Sequence, residues 1–129
     1  MGIKEFEELD VFKKARELSK CIYGLTDRES FRKDFGLKDQ LRRASVSILS
    51  NIAEGFERGT NSEFAQFLYV ARGSSAEVRA QLIVALDQGY LDKEQYRTLT
   101  DNCKIISKML NGLIHYLKTS AIKKRNRST

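Results

Sequence analysis

The chain has 129 residues, of which 41% are apolar and 31% charged, and its formal net charge is +6. This length predicts a single domain, and the composition excludes a membrane protein, because the longest apolar run has five residues while a membrane span needs about 20. The complete absence of proline favours long helices, which exclude proline from their interiors.

The first two predicted helices occupy residues 10–26 and 36–54. Asp10 can cap the first helix, since Asp is a favoured capping residue. The connection between the helices is polar, with Phe31 and Phe35 as its apolar anchors. The second helix carries apolar residues at helical spacing and ends at two glycines: Leu37, Leu41, Ala44, Ile48 and Ile52, followed by Gly55 and Gly59.

The third predicted helix occupies residues 61–88. It begins with a capping box, in which the side chains of Thr60 and Glu63 can bond to free backbone N–H groups. It ends at Gly89, because glycine readily adopts the left-handed conformation that terminates many helices.

The fourth predicted helix occupies residues 92–119 and also starts with a capping box, formed by Asp92 and Gln95. The connections before the third and fourth helices are short, so successive helices must be antiparallel. We therefore expect an all-α fold, an antiparallel up-down four-helix bundle over residues 1–117. The fourth helix has an apolar seam of period 3.5, formed by Tyr96, Leu99, Cys103, Ile106, Leu110, Leu113 and Leu117.

The positive charge is unevenly distributed along the chain. Residues 1–117 carry 18 basic against 17 acidic residues, so this part is almost neutral. Residues 118–129 contain no acidic residue and five basic ones: Lys118, Lys123, Lys124, Arg125 and Arg127. A block of like charges favours a flexible, unstructured arm. The charge that attracts an acidic partner such as nucleic acid is therefore expected mainly in this arm.

The second helix has an additional apolar face, formed by Val46, Leu49 and Ala53, about 100–160° away from its core face. Two interpretations fit this pattern. The helix is either the most central one of a small bundle, or it uses the second face as a subunit interface, because a single bundle rarely covers a helix on all sides.

A polar stripe runs between these two faces and consists of Gln40, Arg43, Ser47, Asn51, Glu54 and Arg58. Its simplest interpretation is a face in contact with water. An alternative arises from Gly73 in the middle of the third helix, since a helical Gly costs about 1 kcal/mol relative to Ala. A turn near residues 57–58 places Gly73 opposite Arg42 or Arg43 if the two helices are antiparallel. We therefore expect Gly73 and the two serines after it to allow a close approach of the helices and to make room for Arg43, with Glu77 or Glu54 as the counter-charge.

Residues 36–55, with the sequence GLKDQLRRASVSILSNIAEG, form the most distinctive segment of the chain. Together with the segments that follow it, this segment closely resembles the bacterial four-helix-bundle protein family, also called the 23S ribosomal RNA intervening-sequence protein family. The resemblance covers roughly residues 6–117. The matching positions beyond the segment are Arg58, Glu63, Phe64, Phe67, Leu68, Ala71, Arg72, Gly73, Ser74 and Glu77.

This resemblance implies an up-down four-helix bundle that assembles into a ring-shaped homopentamer. A distant relative, the accessory protein of diversity-generating retroelements, binds nucleic acid and a reverse transcriptase. The family has no known catalytic residues, so the resemblance implies none here.

Signals for an enzyme are weak, and we expect no catalytic, cofactor or metal site. His115 is the only histidine and has no second ligand at helical spacing, while Cys21 and Cys103 are interpreted as small apolar residues. The N-terminus has no secretory signal, so a cytoplasmic location with reduced thiols is expected.

Two functions remain open. The first is an oligomer that binds RNA or DNA, for example at the ribosome, through the basic arm and through Arg42, Arg58, Arg72 and Arg79 on the body. The second is a protein-interaction scaffold, for example a reverse-transcriptase accessory factor, whose affinity for nucleic acid is incidental.

Overall fold

The computed structural model describes the backbone of residues 2–127 and the side chains of residues 2–120. A short 3₁₀ helix, Phe6–Glu8, precedes four α-helices, and the described part of the chain contains no strand. The predicted all-α four-helix bundle is confirmed. The α-helices are α1 (Asp10–Thr26), α2 (Phe35–Glu57), α3 (Asn61–Asp87) and α4 (Lys93–Arg127).

The helices pack in the order α1, α2, α3, α4, with α4 returning to α1, so that each helix contacts two neighbours. The contacts of α3 with α2 and with α4 are the most extensive. Each helix contributes one apolar stripe to a single core. Its largest fully buried side chains include Leu18, Ile22, Leu41, Ile48, Ile52, Leu68, Leu82, Ile106, Leu110 and Leu117.

The α1–α2 connection packs against the α3–α4 turn at one end of the bundle. Phe31 is fully buried and its ring lies 4.6 Å from that of Tyr90, whose hydroxyl donates a 3.0 Å hydrogen bond to Asp34. Phe31 is therefore the apolar anchor that was predicted. Phe35 is not an anchor, because it is 75% exposed.

Local capping signals are mostly confirmed. At the start of α3, Thr60 accepts a hydrogen bond from the Glu63 N–H, which is half of the predicted capping box. The Glu63 carboxylate accepts from the Thr60 hydroxyl and not from the Thr60 backbone N–H, so the other half differs from the prediction. Gly89 has a φ of +76°, in the left-handed region. The prediction for Asp10 is wrong, because Leu9 occupies the capping position and Asp10 is the first helical residue.

The capping box at the start of α4 is confirmed in both directions. The Gln95 N–H donates to the Asp92 carboxylate at 2.8 Å, and the Asp92 N–H donates to the Gln95 side chain at 3.1 Å. These two bonds satisfy backbone N–H groups that have no partner within the helix.

Two helices extend beyond their predicted ends. The first is α2, which runs past Gly55 to Glu57, because Gly55 is buried against α3 and continues the helix. The other is α4, whose backbone is helical through residues 118–127. The run of like charges in this segment predicts an unstructured arm instead. No Gly or Pro follows Gly112, and basic residues near a helix C-terminus interact favourably with its dipole.

Candidate nucleic-acid interface

Arg42 is held by α1 and is not a free surface cation. Its Nε donates to the Thr26 hydroxyl at 2.9 Å, and its guanidinium lies 4.4 Å from the centre of the Tyr23 ring. Arg42 is also partly buried. Its contacts fasten the end of α1 to α2, so Arg42 has a structural role in the isolated chain.

Arg58 is neutralised at the α2–α3 turn. Its guanidinium lies 3.1 Å from the Glu54 carboxylate and 3.9 Å from that of Glu63, and it covers the ring of Phe67 at 5.0 Å. Exposed ion pairs of this kind contribute little stability. They do reduce the positive potential at this end of the bundle.

Two of the predicted nucleic-acid contacts, Arg72 and Lys118, lie close to each other in the structure. Both lie against Tyr69, with the Arg72 guanidinium 4.9 Å and the Lys118 ammonium 4.8 Å from the ring centre. Lys118 also donates to the Tyr69 hydroxyl, and Arg72 donates to the Asn111 side chain at 2.8 Å. We call Tyr69, Arg72, Asn111 and Lys118 the Tyr69 cluster.

The Tyr69 cluster keeps its positive charge. Among the described residues, neither Arg72 nor Lys118 has a carboxylate within 4.0 Å. Stacking on an aromatic ring orients a cation without neutralising it. This arrangement suits the binding of an anion from solvent.

Arg79 lies between α3 and α4 and is partly buried. Its Nε has no hydrogen-bond partner in the described structure. Cys103 is close by and fully buried, and burial raises the pKa of its thiol to about 12, although the Arg79 charge and the hydrogen bond with Ser75 act in the opposite direction. At neutral pH the thiol is therefore protonated, which agrees with its interpretation as a small apolar residue.

The structure reveals a row of exposed polar residues that the sequence analysis missed. These residues recur every seven positions along α4: Arg97, Lys104, Asn111 and Lys118. Seven residues are close to two helical turns, so the row follows one face of the helix. Arg72 and Arg79, also seven apart, contribute to this α3–α4 edge from α3. The seven-residue spacing of this row is visible in the sequence. In the sequence interpretation, the period of 3.5 in this helix belongs to the apolar seam alone.

The remaining predicted cations, Lys123, Lys124, Arg125 and Arg127, lie on the helical backbone of α4. Their side chains are outside the described residues. Beyond Asp101, α4 contains seven basic residues and no acidic one.

The predicted polar stripe of α2 lies partly along the joint with α3. Ser47 and Ser74 share a 2.8 Å hydrogen bond, and the Asn51 amide donates to the Ser47 carbonyl at 2.8 Å. Gln40 and Glu77 line the same groove. The stripe is thus a mixture of helix-joining and exposed residues.

The proposed pairing of Gly73 with Arg43 is wrong. Gly73 is exposed, and a Cβ placed on it would meet no atom within 4 Å. Arg43 pairs with Asp39 on its own helix at 3.1 Å. The physical reason is the register: α2 continues to Glu57, which shifts the turn and places Ser47, not Arg43, beside this part of α3.

The close approach of α2 and α3 occurs at Gly55 instead. A Cβ on Gly55 would lie 2.7 Å from the Phe67 Cβ and 2.9 Å from the Phe64 ring. Real Cβ atoms do not come this close to other carbon atoms, so the packing requires glycine.

The second apolar face of α2 is only partly covered within the chain. Val46 is 37% exposed and Ala53 is partly buried, whereas Leu49 is packed against the core. A cleft beside Val46 is lined by Tyr23, Arg42 and Ser50. The face remains available to a second copy, and its use as an interface stays a prediction.

Comparison with known proteins agrees with this fold. The sequence model of the 23S rRNA-intervening sequence protein family matches residues 7–112. The chain belongs to this family. No curated protein matches it.

A solved structure with the same fold is that of a protein of unknown function from the S23 ribosomal protein family of Bacteroides thetaiotaomicron VPI-5482. The two sequences are 26% identical, and the TM-score is 0.74. The match covers 81% of this chain and 97% of the other. The fold is thus shared over nearly the entire Bacteroides protein.

Two further observations bear on the class of site. In the part of the chain that the structure describes, His, Cys, Asp and Glu form no group of three or more that could hold a metal ion. Within the same residues, none of the helices combines the length and the apolar character needed to cross a membrane.

Proposed function

We propose that this protein is a non-enzymatic oligomer that binds RNA or DNA through charge. The main observation behind the proposal is that every charged side chain of α4 after Asp101 is positive: this part of the helix has seven basic residues and no acidic residue. Lysine and arginine residues bind nucleic acid by neutralising phosphates and releasing counterions. The free charges of the Tyr69 cluster support the same interpretation.

We further propose that the chain assembles into the homopentamer that the family resemblance implies. The partly exposed Val46 on α2 supports an interface on that helix. Assembly multiplies the basic ends of α4, and several weak contacts on one polymer can raise the overall affinity by roughly two to four orders of magnitude.

Nucleic-acid binding is tested by the salt dependence of the affinity for a labelled 20-nucleotide single-stranded RNA. Replacing Lys123, Lys124, Arg125 and Arg127 by Gln removes four charges while keeping good helix formers. If these residues contact phosphates, the log–log salt slope becomes shallower by about 2.8, at about 0.7 per contact.

The matched control removes four basic residues elsewhere on the chain, by the Gln substitution of Lys13, Arg16, Lys20 and Lys33. It has the same net charge as the α4 variant. Equal salt slopes for the two variants would show that only the net charge matters and that α4 has no special role.

Assembly is tested by light scattering. A pentamer has a mass of about 74 kDa, five times the 14.8 kDa of one chain. Replacing Val46 by Glu should release smaller species, because a buried unpaired carboxylate is costly. A wild-type mass of one chain at working concentration contradicts the assembly.

A protein-interaction scaffold is the second candidate, and the 75% exposure of Phe35 favours it. Large exposed aromatic side chains are enriched in protein interfaces. Co-purification from the native cell before and after nuclease treatment separates the two functions, because protein partners held only through RNA are lost on digestion.

A further inference from the structure

A groove between α3 and α4 lies near the turn at Gly89 and has a volume of about 390 Å³. Its floor includes Arg79 from α3 and Thr100 from α4, and Lys93, Arg97 and Lys104 stand around it. Asp101 is the one carboxylate among the described residues that line it. We call this the Thr100 groove.

Two polar groups in the floor of this groove have no hydrogen-bond partner. Thr100 is only 8% exposed, yet its hydroxyl is unpaired in the described structure. The Arg79 Nε is buried and unpaired as well. Buried polar groups are nearly always satisfied, so an unpaired pair that lines one groove points to a missing partner.

The chemistry of the groove specifies an anionic acceptor. The Arg79 guanidinium can only donate hydrogen bonds, and the Thr100 hydroxyl can donate one. The three surrounding cations are exposed and, among the described residues, have no carboxylate within 4.0 Å. A group with several oxygen atoms and a negative charge fits these donors, and phosphate is such a group.

The groove is also continuous with the basic row of α4. Lys104 stands at the groove and Lys118 in the Tyr69 cluster, fourteen residues further along the helix, which corresponds to about 21 Å. Asn111 lies between them on the same face. A polynucleotide can follow this edge with one phosphate in the groove and others on the row.

We propose that the Thr100 groove binds a backbone phosphate of RNA or DNA and positions the strand along the α3–α4 edge. This inference rests on the proposed function and assigns it a site on the folded body, in addition to the basic end of α4. The Thr100 hydroxyl and the Arg79 Nε are shielded from solvent in the unbound chain, so the phosphate becomes their acceptor only when the two side chains turn toward the groove on binding.

The test measures binding of the 20-nucleotide RNA by full-length variants. Replacing Thr100 by Val removes the unpaired hydroxyl, and we expect about tenfold weaker binding with an unchanged or higher melting temperature. This combination separates a binding role from a structural one, because a residue needed only for folding would lower the melting temperature.

Charge variants provide the second readout. Lys104→Gln should weaken binding and make the salt slope shallower by about 0.7, while Lys20→Gln on α1, with the same net charge, should not. Asp101→Asn should strengthen binding, because it removes the carboxylate at the groove.

The outcomes separate the two proposals. If the wild-type protein binds RNA and Thr100→Val and Lys104→Gln bind as tightly, the groove is not a phosphate site and the general function stands. If the wild-type protein does not bind RNA or DNA at any salt concentration, the proposed function fails and the groove assignment fails with it.

Discussion

The two sides of α3 differ in how their polar groups are used. Toward α2, hydroxyl groups bond to each other across the joint, as in the pair Ser47 and Ser74. Among the described residues, the buried side-chain atom without a hydrogen-bond partner on that side is the Gln81 oxygen, an acceptor, in a groove also lined by Arg43 and Glu77. Toward α4, Ser75 and Ser107 also share a hydroxyl–hydroxyl bond, at 3.2 Å. In addition, among the described residues, buried atoms of Arg79 and Thr100 have no hydrogen-bond partner on this side, and cations surround them.

This difference separates a structural joint from a binding surface. One side holds two helices at close range through Gly55 and shared hydroxyl groups. The other side is also joined by hydrogen bonds, such as that between Ser75 and Ser107, but it holds in addition donors and positive charges that have no partner among the described residues. The same helix can serve both purposes, because its faces point in different directions.

The largest expected effect concerns the joint at Gly55. Replacing Gly55 by Ala places a Cβ 2.7 Å from the Phe67 Cβ, so α2 and α3 must separate. We expect a loss of about 1–3 kcal/mol in the free energy of unfolding, the usual cost of overpacking, measured by urea denaturation.

Gly73→Ala is the matched control on the other helix of the joint. A Cβ on Gly73 meets nothing within 4 Å, so this exchange should stabilise the protein by up to about 1 kcal/mol through helix propensity. Destabilisation by Gly73→Ala, or none by Gly55→Ala, would show that the register of α2 on α3 is different.

A smaller effect distinguishes paired from unpaired hydroxyl groups. Ser47→Ala should cost about 1 kcal/mol, because it removes the partner of the Ser74 hydroxyl, while Asn51 keeps its bond to the backbone carbonyl of residue 47. Thr100→Val should be neutral or stabilising, because the lost hydroxyl has no partner in the described structure. Equal losses from the two exchanges would remove the distinction between the two sides of α3.

The smallest effect is chemical and leaves the fold unchanged. Burial raises the pKa of Cys103 to about 12, so this thiol stays protonated at pH 8, and it is also inaccessible, while Cys21 is exposed. A thiol reagent at pH 8 should therefore modify one cysteine per native chain and two after denaturation. Rapid modification of Cys103 would mean that the α3–α4 joint opens beneath the groove.

The elements that the sequence predicted well depend on local interactions. The capping box of Asp92 and Gln95 and the left-handed Gly89 each involve residues close in the chain. The predicted register of α2 on α3 was wrong because it depends on where one turn begins. Gly55 resembles a helix terminator in the sequence, but in the structure it continues α2 and packs against α3. The predicted end of α2 is three residues too early, and this error was enough to assign the wrong partner to Arg43.

The functional surface was harder to predict than the fold. Counting charges by segment assigned the positive charge to the end of the chain, yet Lys118 belongs to a cluster with Tyr69 and Arg72 on the body. The Thr100 groove could not be predicted, because its unpaired atoms become evident only when two helices face each other. Of the four predicted arginines, Arg42 and Arg58 are already paired with other side chains of the chain: Arg42 with Thr26 between helices and Arg58 with Glu54 at the surface.

Hydrogen–deuterium exchange with and without the 20-nucleotide RNA shows which side of α3 binds nucleic acid, because one experiment reports on both sides. If the strand lies along the α3–α4 edge, peptides covering residues 97–118 and 69–79 exchange more slowly in the presence of RNA, and those covering residues 40–54 do not change. Protection confined to residues 40–54, with none along α4, would contradict this placement of the strand.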